Sequence, residues 1–428
     1  AMNFPVVIIL LLLVAALLRV DVIFYILYVG VALYAFSYFY TPRVLRRVRV
    51  SREFTSRAFH GEPVLVTVRV VNEHWLAVPW LMVRESLAPE LMDGERLHEV
   101  VSLAAKNTAV FTYHVRSVRR GYYQLGPLFL TTGDLFGFVP EQRAAIEPNY
   151  LTVYPRIVTL TQLGLPSRLP FGTLASHQRL FDDPARPFGV REYQSGDSPR
   201  QINWKVSGHT QQLMVKTYQP AISLETAVVI NLYSPDYDQL AFRSNVVEWG
   251  IEVAASLAAH LIDQRQAVGL LTNGRDVLVD AQLHGENGNT PDAFDERSGR
   301  LLPRAQSGSA ASTRAALPAI PPRNGRAHLM KILERLARLE PADGAAFVDW
   351  LPTAVASLTW GTTLLIITPH GDETTYRALH QLVRRGLNPV LLLITPQADW
   401  PQRRAQARQL GFVAYNVSAL RDLDAWRR

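Results

Sequence analysis

The sequence predicts a multidomain protein with an N-terminal transmembrane helical hairpin, a β-sandwich-like domain and an α/β doubly wound domain. Three observations lead to this fold class. Residues 4–40 are nearly all apolar, and residues 48–158 alternate with the period of β-strands. After residue 220, apolar strands alternate with amphipathic helices, which is the pattern of a mostly parallel sheet covered by helices.

The apolar N-terminal run is broken only by Arg19 and Asp21. A single helix of this length would measure about 55 Å, whereas a hydrocarbon core is about 30 Å thick. Two helices joined at the charged pair fit that thickness, so the run predicts a membrane hairpin. A secretory signal peptide is the alternative, but no Lys or Arg precedes the run and a second apolar segment follows at once.

A cluster of arginines follows the predicted hairpin, whereas its turn holds one arginine. By the positive-inside rule, both ends of the hairpin are expected in the cytoplasm. We therefore predict a protein of the inner (plasma) membrane, with two transmembrane helices and cytoplasmic soluble domains. The cluster also accounts for part of the net charge of +7 and consists of Arg43, Arg46, Arg47, Arg49 and Arg52. No basic stripe with interleaved aromatic residues follows, so nucleic acid is not an expected partner.

The composition excludes several kinds of chemistry. The chain has no cysteine, which rules out disulfides, thiolate nucleophiles and Cys-ligated zinc or iron–sulfur sites. It also has no Gly-x-x-x-x-Gly-Lys-Ser/Thr loop, so any ATP chemistry must belong to a partner. We predict no cofactor and no enzymatic activity.

The predicted domain boundaries follow from changes in periodicity and composition. A long stretch rich in Gly, Ser, Ala, Pro and Arg interrupts the α/β domain and is predicted to be a disordered insertion. The predicted parts are the hairpin at 1–42, the β-sandwich-like domain at 43–160, a linking segment at 161–222, and the α/β domain at 223–428 with its insertion at about 284–326.

The linking segment contains the densest polar and aromatic set of the chain, between Arg186 and Pro220. Gly196 and Asp197 predict a tight turn, because glycine adopts positive φ readily and an aspartate bonds nearby backbone amides. Arg191 and Arg200 flank that aspartate, which favours an Arg–Asp network. We interpret the segment as a structural connection between the two soluble domains; a recognition surface for a partner protein is the alternative.

The same segment carries a motif with fixed spacing. It reads Arg191-x-Tyr193-x-x-Gly196-Asp197-x-x-Arg200-x-Ile202-x-Trp204-Lys205, followed by Leu213-x-Val215-Lys216. This motif resembles the bacterial Domain of Unknown Function 58 family. The resemblance implies a membrane hairpin, a β-rich domain and a domain similar to von Willebrand factor type A. It also implies a MoxR-type AAA+ ATPase as a companion. The candidate interaction residues are Arg191, Tyr193, Gly196, Asp197, Arg200, Trp204, Lys205 and Lys216.

Domains similar to von Willebrand type A often bind Mg²⁺ through an Asp-x-Ser-x-Ser loop after the first strand. In this chain the three positions hold Asn231, Tyr233 and Pro235. Most of the oxygen ligands that such a hard cation needs are therefore missing. Three nearby acids have the wrong register to replace them, namely Asp236, Asp238 and Asp372. We predict a degenerate loop that holds no metal.

These observations favour a non-catalytic, membrane-anchored protein-interaction or scaffold protein. With the resemblance, the expected role is assembly or maturation of membrane or envelope proteins together with a MoxR-type AAA+ ATPase. One alternative is a hydrolase that uses Ser195 or Ser198, His177 or His209, and Asp197. A second alternative is an envelope adhesion protein with a degenerate metal site.

Overall fold

The computed structural model divides into two compact units. Unit 1 comprises Ala1–Arg156, Asp276–Ala310 and Leu333–Leu339, and unit 2 comprises Ile157–Arg275, Ala311–Ile332 and Glu340–Arg428. The structure describes residues 21–87, 91, 97–133, 141–160, 182–194, 202–220, 225–238, 240, 242–279 and 317–423.

Up to Tyr154, the described part of unit 1 contains one helix followed by nine strands. These elements are α1 (Asp21–Arg46), β1 (Val48–Glu53), β2 (Arg57–Phe59), β3 (Val64–Asn72), β4 (Val78–Leu87), β5 (His98–Leu103), β6 (Thr108–Val115), β7 (Gly121–Thr132), β8 (Glu141–Ile146) and β9 (Asn149–Tyr154). They form one sheet in the order β1-β3-β6 and a second in the order β2-β9-β7-β4-β5, with β8 beside β7.

The strands of unit 1 bury alternate residues. In β3 the β-branched residues Val64, Val66, Val68 and Val70 are buried, whereas the residues between them are exposed or half-buried. Side chains of a strand point alternately to its two faces, so this spacing directs every valine to one side. Buried residues of both sheets form one hydrophobic core.

Helix α1 corrects the prediction of a transmembrane hairpin. Among the described residues, no helix is both long enough and apolar enough to cross a membrane. The apolar run of α1 is interrupted by tyrosines, Ser37 and Thr41, and its last turn is basic. Val44 and Leu45 are part of the core of unit 1, so this end of the helix packs against protein. The predicted hairpin, and with it the predicted inner-membrane location with cytoplasmic domains, is therefore wrong. The first of the two predicted helices, at 4–18, lies outside the described residues.

A buried ion pair lies inside unit 1. The side chains of Arg52 and Glu85 form a salt bridge and are both fully buried. Tyr113 donates its hydroxyl to the same carboxylate, and Asn149 accepts from Arg52 Nε at 3.1 Å. Burial, and then the charge of Glu85, raise the pKa of Tyr113 well above its usual value. The hydroxyl therefore stays protonated and serves as a hydrogen-bond donor.

The rest of the chain alternates strands with helices. Its elements are β10 (Asp182–Glu192), α2 (Trp204–Thr210), β11 (Met214–Pro220), β12 (Glu225–Ile230), α3 (Pro235–Asp238), α4 (Arg243–Asp263), β13 (Ala267–Thr272), β14 (Arg275–Asp276), β15 (Ile320–Arg323), α5 (Arg326–Arg338), β16 (Leu339–Glu340), α6 (Phe347–Ala354), β17 (Thr363–Thr368), α7 (Glu373–Arg384), β18 (Asn388–Leu393), α8 (Trp400–Gln409), β19 (Val413–Asn416) and α9 (Leu420–Leu423).

Unit 2 is built on a six-stranded sheet in the order β15-β13-β12-β17-β18-β19. Strands β12, β13, β17, β18 and β19 are parallel, and β15 is antiparallel to β13. The parallel strands are almost continuously apolar because both faces of the sheet are covered. Val229 and Ile366 belong to the core cluster with helices α6, α7 and α8. Their neighbours Ile230 and Ile367 face α4 and lie 3.9 and 3.8 Å from the position that a Cβ of Gly250 would occupy.

The predicted insertion at about 284–326 lies largely outside the described residues. Its last part is described and differs from the prediction, because Ile320–Arg323 forms the edge strand β15. Val268 pairs with Arg323, and Leu270 pairs with Ile320. The segment has no hydrophobic period of its own, so its strand conformation depends on pairing with β13.

Candidate functional site

The motif singled out in the sequence folds as a small two-stranded sheet with a helix, which we call the signature hairpin (β10, α2 and β11). Strands β10 and β11 are antiparallel, with Val190 opposite Lys216, Arg191 opposite Val215, and Glu192 opposite Met214. A single bridge joins Ile202 to the other edge of β11, at Val215. In the described part of the chain, β10 and β11 belong to no larger sheet.

Two short-range devices fix helix α2 on this sheet. Asn203 is its N-cap, and the side chain accepts from the backbone amide of Val206 at 3.4 Å. Ser207 is buried, and its Oγ accepts from the backbone amide of Met214 at 2.8 Å. Gln211 ends the helix in the left-handed region with φ 54°. Asn203 and Ser207 are not among the residues predicted from the sequence, although an Asn directly before Trp204 is a recognisable N-cap signal.

The signature hairpin exposes large side chains. Trp204 is 69% exposed and Leu213 is 48% exposed, with Val190 and Tyr193 at 41% and 37%. Lys205 and Lys216 are exposed beside them, and so is Arg191, which donates to the backbone carbonyl of Glu192 at 3.1 Å. Five of the eight candidate interaction residues are thus described and lie on the surface of one small structure.

The other three candidates, Gly196, Asp197 and Arg200, lie outside the described residues. The predicted Arg191–Asp197–Arg200 network therefore stays a prediction. Most residues of the hydrolase alternative also lie there, namely Ser195, Ser198, His177 and Asp197. Its remaining member, His209, is an exposed residue in the last turn of α2.

The predicted degenerate metal loop lies at the carboxyl edge of the parallel sheet, where it follows β12. Asn231 is buried at the start of the loop. Its Nδ2 donates to Asp236 Oδ2 at 2.6 Å and to Thr368 Oγ1 at 3.1 Å. Its Oδ1 accepts from the Tyr233 amide at 3.0 Å and from Asn273 Nδ2 at 3.1 Å. Both ends of this amide therefore have two partners, and the loop is held by hydrogen bonds.

The two other acids that were considered as replacements have local partners. Asp238 pairs with Arg243, which also donates to Ser234 Oγ. Asp372 caps helix α7 and accepts from the Thr375 amide at 2.9 Å. Burial opposes ionisation of Asp372, but hydrogen bonds from Thr374 and Thr375 outweigh it and hold its pKa below the usual value. Over the described ranges, no group of three His, Cys, Asp or Glu residues is placed to hold a metal ion.

The signature hairpin matches a known family. Residues 189–281 fit the model described as "Protein of unknown function DUF58". This stretch of the chain matches the DUF58 family. This confirms the resemblance that the motif from Arg191 to Lys216 indicated. The matched stretch begins within β10, extends past β14 and includes the loop at Asn231.

One relative of this chain is the "Uncharacterized protein YeaD" of Bacillus subtilis (strain 168). The two are 26% identical over 240 residues, which cover 54% of this chain and 57% of YeaD. The chain thus matches little more than half of the relative's length.

Several solved structures also resemble part of this chain. One is the CARDB domain of PF1109 from Pyrococcus furiosus, solved with di-metal ions (18% identity, 25% of this chain, 91% of that chain, TM-score 0.20). Another is a β-glucosidase from Listeria innocua solved with isofagomine (13% identity, 25% and 16% of the two chains, TM-score 0.17). A third is the sporulation control protein Spo0M from Bacillus subtilis (13% identity, 25% and 49%, TM-score 0.16). Similarity at these TM-scores supports no conclusion about fold or function.

Proposed function

We propose that this chain is a non-catalytic interaction protein, and that the signature hairpin is the surface that contacts its partner. The observation that carries the proposal is the 69% exposure of Trp204 beside the exposed Lys205. Tryptophan, tyrosine and arginine dominate the binding energy of protein interfaces when a partner buries them. The signature hairpin presents one of each, at Trp204, Tyr193 and Arg191.

The small size of the signature hairpin supports the same conclusion. An isolated two-stranded hairpin is at best marginally stable in water, and it gains stability when its apolar side is covered. Here Val190, Leu213 and Trp204 remain substantially exposed. A partner that covers them would remove apolar surface from water, which contributes roughly 25 cal/mol per Å².

We further propose that the partner is a MoxR-type AAA+ ATPase, which would act as the motor in the assembly or maturation of a client protein. The family resemblance supports this choice. The absence of a P-loop in the sequence is consistent with it, because ATP hydrolysis would then belong to the partner.

Purified components test both parts of the proposal. The affinity of the chain for a purified MoxR-type ATPase from the same cell is measured by biolayer interferometry. We expect Trp204→Ala to weaken it about 30-fold or more, as for a central interface tryptophan. Trp75→Ala is the matched control, because Trp75 is 72% exposed in unit 1; it should change the affinity by less than about twofold.

The choice of partner and the choice of contact surface can be rejected separately. If the unmodified chain does not bind the purified ATPase, the choice of partner is rejected. If it binds and Trp204→Ala binds equally well, the signature hairpin is not the contact surface. Because Trp204 is exposed, the variant should keep the thermal stability of the unmodified protein, and this excludes misfolding as the reason for weaker binding.

A further inference from the structure

A concentration of positive charge lies on helices α7 and α8 of unit 2. It consists of four arginines, which we call the basic patch: Arg384, Arg385, Arg404 and Arg408. Arg404 is half-buried and the other three are exposed. No carboxylate in the described part of the chain forms a salt bridge with any of the four. The patch is not visible as a basic run, because its two halves come from different helices.

Other arginines on the same helices have structural partners. Arg377 pairs with Glu373 at 3.2 Å, one helical turn away. Arg403 donates to the backbone carbonyl of Gly371. Arg377 and Arg403 thus have partners within the chain, whereas no described carboxylate pairs with the arginines of the basic patch.

The two halves of the patch are adjacent in space. His380 Nδ1 lies 2.8 Å from the backbone carbonyl of Leu410, just after α8. Burial raises the pKa of Tyr415, and the charges of Arg404 and Arg408 act in the opposite direction, so both guanidinium groups lie near that hydroxyl. Arg384 is one turn beyond His380, and Arg408 is two residues before Leu410. The arginines of both helices thus flank one contact.

Helix stability explains only part of this arrangement. Arg384 and Arg408 are in the last turns of their helices, where a cation offsets the helix dipole. Arg404 is in the middle of α8, one turn before Arg408, and like charges at this spacing destabilise a helix. The chain therefore keeps a charge pair that weakens its own helix, and no described carboxylate compensates for it.

We propose that the basic patch binds an acidic segment of a partner protein, whose carboxylates face the four guanidinium groups. The extent of the patch favours a short acidic segment over a nucleic acid. Asp372, Glu373 and Asp399 are exposed at the opposite ends of the same two helices and would repel a phosphate backbone that continued along them. Single-stranded nucleic acids bind along extended basic grooves with stacking aromatic side chains.

A fluorescein-labelled glutamate-rich peptide is a direct probe, with binding followed by fluorescence anisotropy. We expect saturable binding that weakens as salt is added, because exposed charges are screened. The double variants R404Q/R408Q and R384Q/R385Q should each bind about 5- to 30-fold more weakly, since each loses two exposed ion pairs. The matched control R377Q removes an arginine that already has an internal partner and should change binding by less than about twofold.

Thermal melting separates binding from folding. R404Q/R408Q should melt within a few degrees of the unmodified chain, because removal of the like-charge pair offsets the loss of the Arg408 cation at the end of the helix. Binding of the peptide should also persist in Trp204→Ala, so this inference stands apart from the signature hairpin. The proposal would be overturned if all arginine variants bound the peptide with equal affinity, or if the affinity for the peptide did not depend on the salt concentration. A single-stranded oligonucleotide of matched charge that binds more tightly and displaces the peptide would overturn it as well.

Discussion

The side-chain amide of Asn231 donates a hydrogen bond to Oδ2 of Asp236 at 2.6 Å. This bond joins the end of strand β12 to the first turn of α3. The resemblance to domains of von Willebrand type A predicted a degenerate metal loop that begins at Asn231. The neutral amide donates to this carboxylate and to the hydroxyl of Thr368, so the loop is held by hydrogen bonds.

The first prediction concerns this amide. Asn231→Asp replaces a donor by a second carboxylate beside Asp236, and it removes the hydrogen bond to Thr368. We expect the free energy of unfolding in urea at neutral pH to fall by about 2–4 kcal/mol. Repulsion raises the pKa of the introduced carboxyl in the folded state. The protonated carboxyl is neutral, so Asp236 does not repel it. The loss in free energy of unfolding should therefore become smaller as the pH is lowered toward about 4.

Asn388→Asp is the matched control for that variant. Asn388 donates to the backbone carbonyl of Gly361 at 3.0 Å and lies at the amino end of β18, whereas Asn231 follows the carboxyl end of β12. Asn388→Asp loses one donated hydrogen bond, whereas Asn231→Asp loses two. In the described contacts, Asn388 faces no carboxylate. An Asn231→Asp loss that is no larger than the control's, or that does not change with pH, would contradict the proposed role of the amide.

The second prediction concerns the cap of α7. Asp372→Ala removes the acceptor for the Thr375 amide and for two threonine hydroxyls, so it should cost about 0.5–2 kcal/mol at neutral pH. The pKa of Asp372 is lowered in the folded state. Its contribution is therefore complete above the unfolded pKa of about 3.9 and is lost as the pH falls through the folded pKa. The difference between variant and unmodified chain in urea should accordingly shrink below about pH 4.

Asp399 provides the comparison for this cap. It is also the N-cap residue of its helix, α8, but its side chain makes no capping hydrogen bond. Asp399→Ala should change the free energy of unfolding by less than about 0.5 kcal/mol at any pH. Similar effects for both substitutions would show that the hydrogen bonds of Asp372 do not stabilise the helix.

The third prediction contrasts two ion pairs of unit 1. Glu85→Gln keeps the shape of the side chain but leaves the charge of the fully buried Arg52 without a counter-ion. We expect a loss of about 3–5 kcal/mol in chemical denaturation. Glu73→Gln breaks the pair of Arg49 and Glu73 at 2.8 Å, whose side chains are 77% and 38% exposed, and should cost at most about 1 kcal/mol. Equal losses would mean that burial does not set the strength of the Arg52–Glu85 pair.

Local periodicity predicts many of the strands of unit 1. The alternation over residues 48–158 predicted a series of strands, and β3 runs through this stretch from Val64 to Asn72. Burial of alternate residues depends only on the period-two geometry of a strand, so neighbouring residues contain the information. Local hydrophobicity also misled, since the apolar run after Asp21 predicted a membrane span. The end of that helix packs instead into the core of unit 1 through Val44 and Leu45.

The sequence by itself determined the resemblance to DUF58, because the spacing from Arg191 to Lys216 is a property of the chain alone. It also determined which chemistries are excluded, such as those that need cysteine. The tertiary structure decided what the polar residues do. Asn231 meets Thr368 across 137 positions, and the basic patch forms where two helices lie side by side. The exposure of Trp204 is equally a result of folding. Such contacts arise when distant segments pack together, and no local period or spacing records which segments will meet.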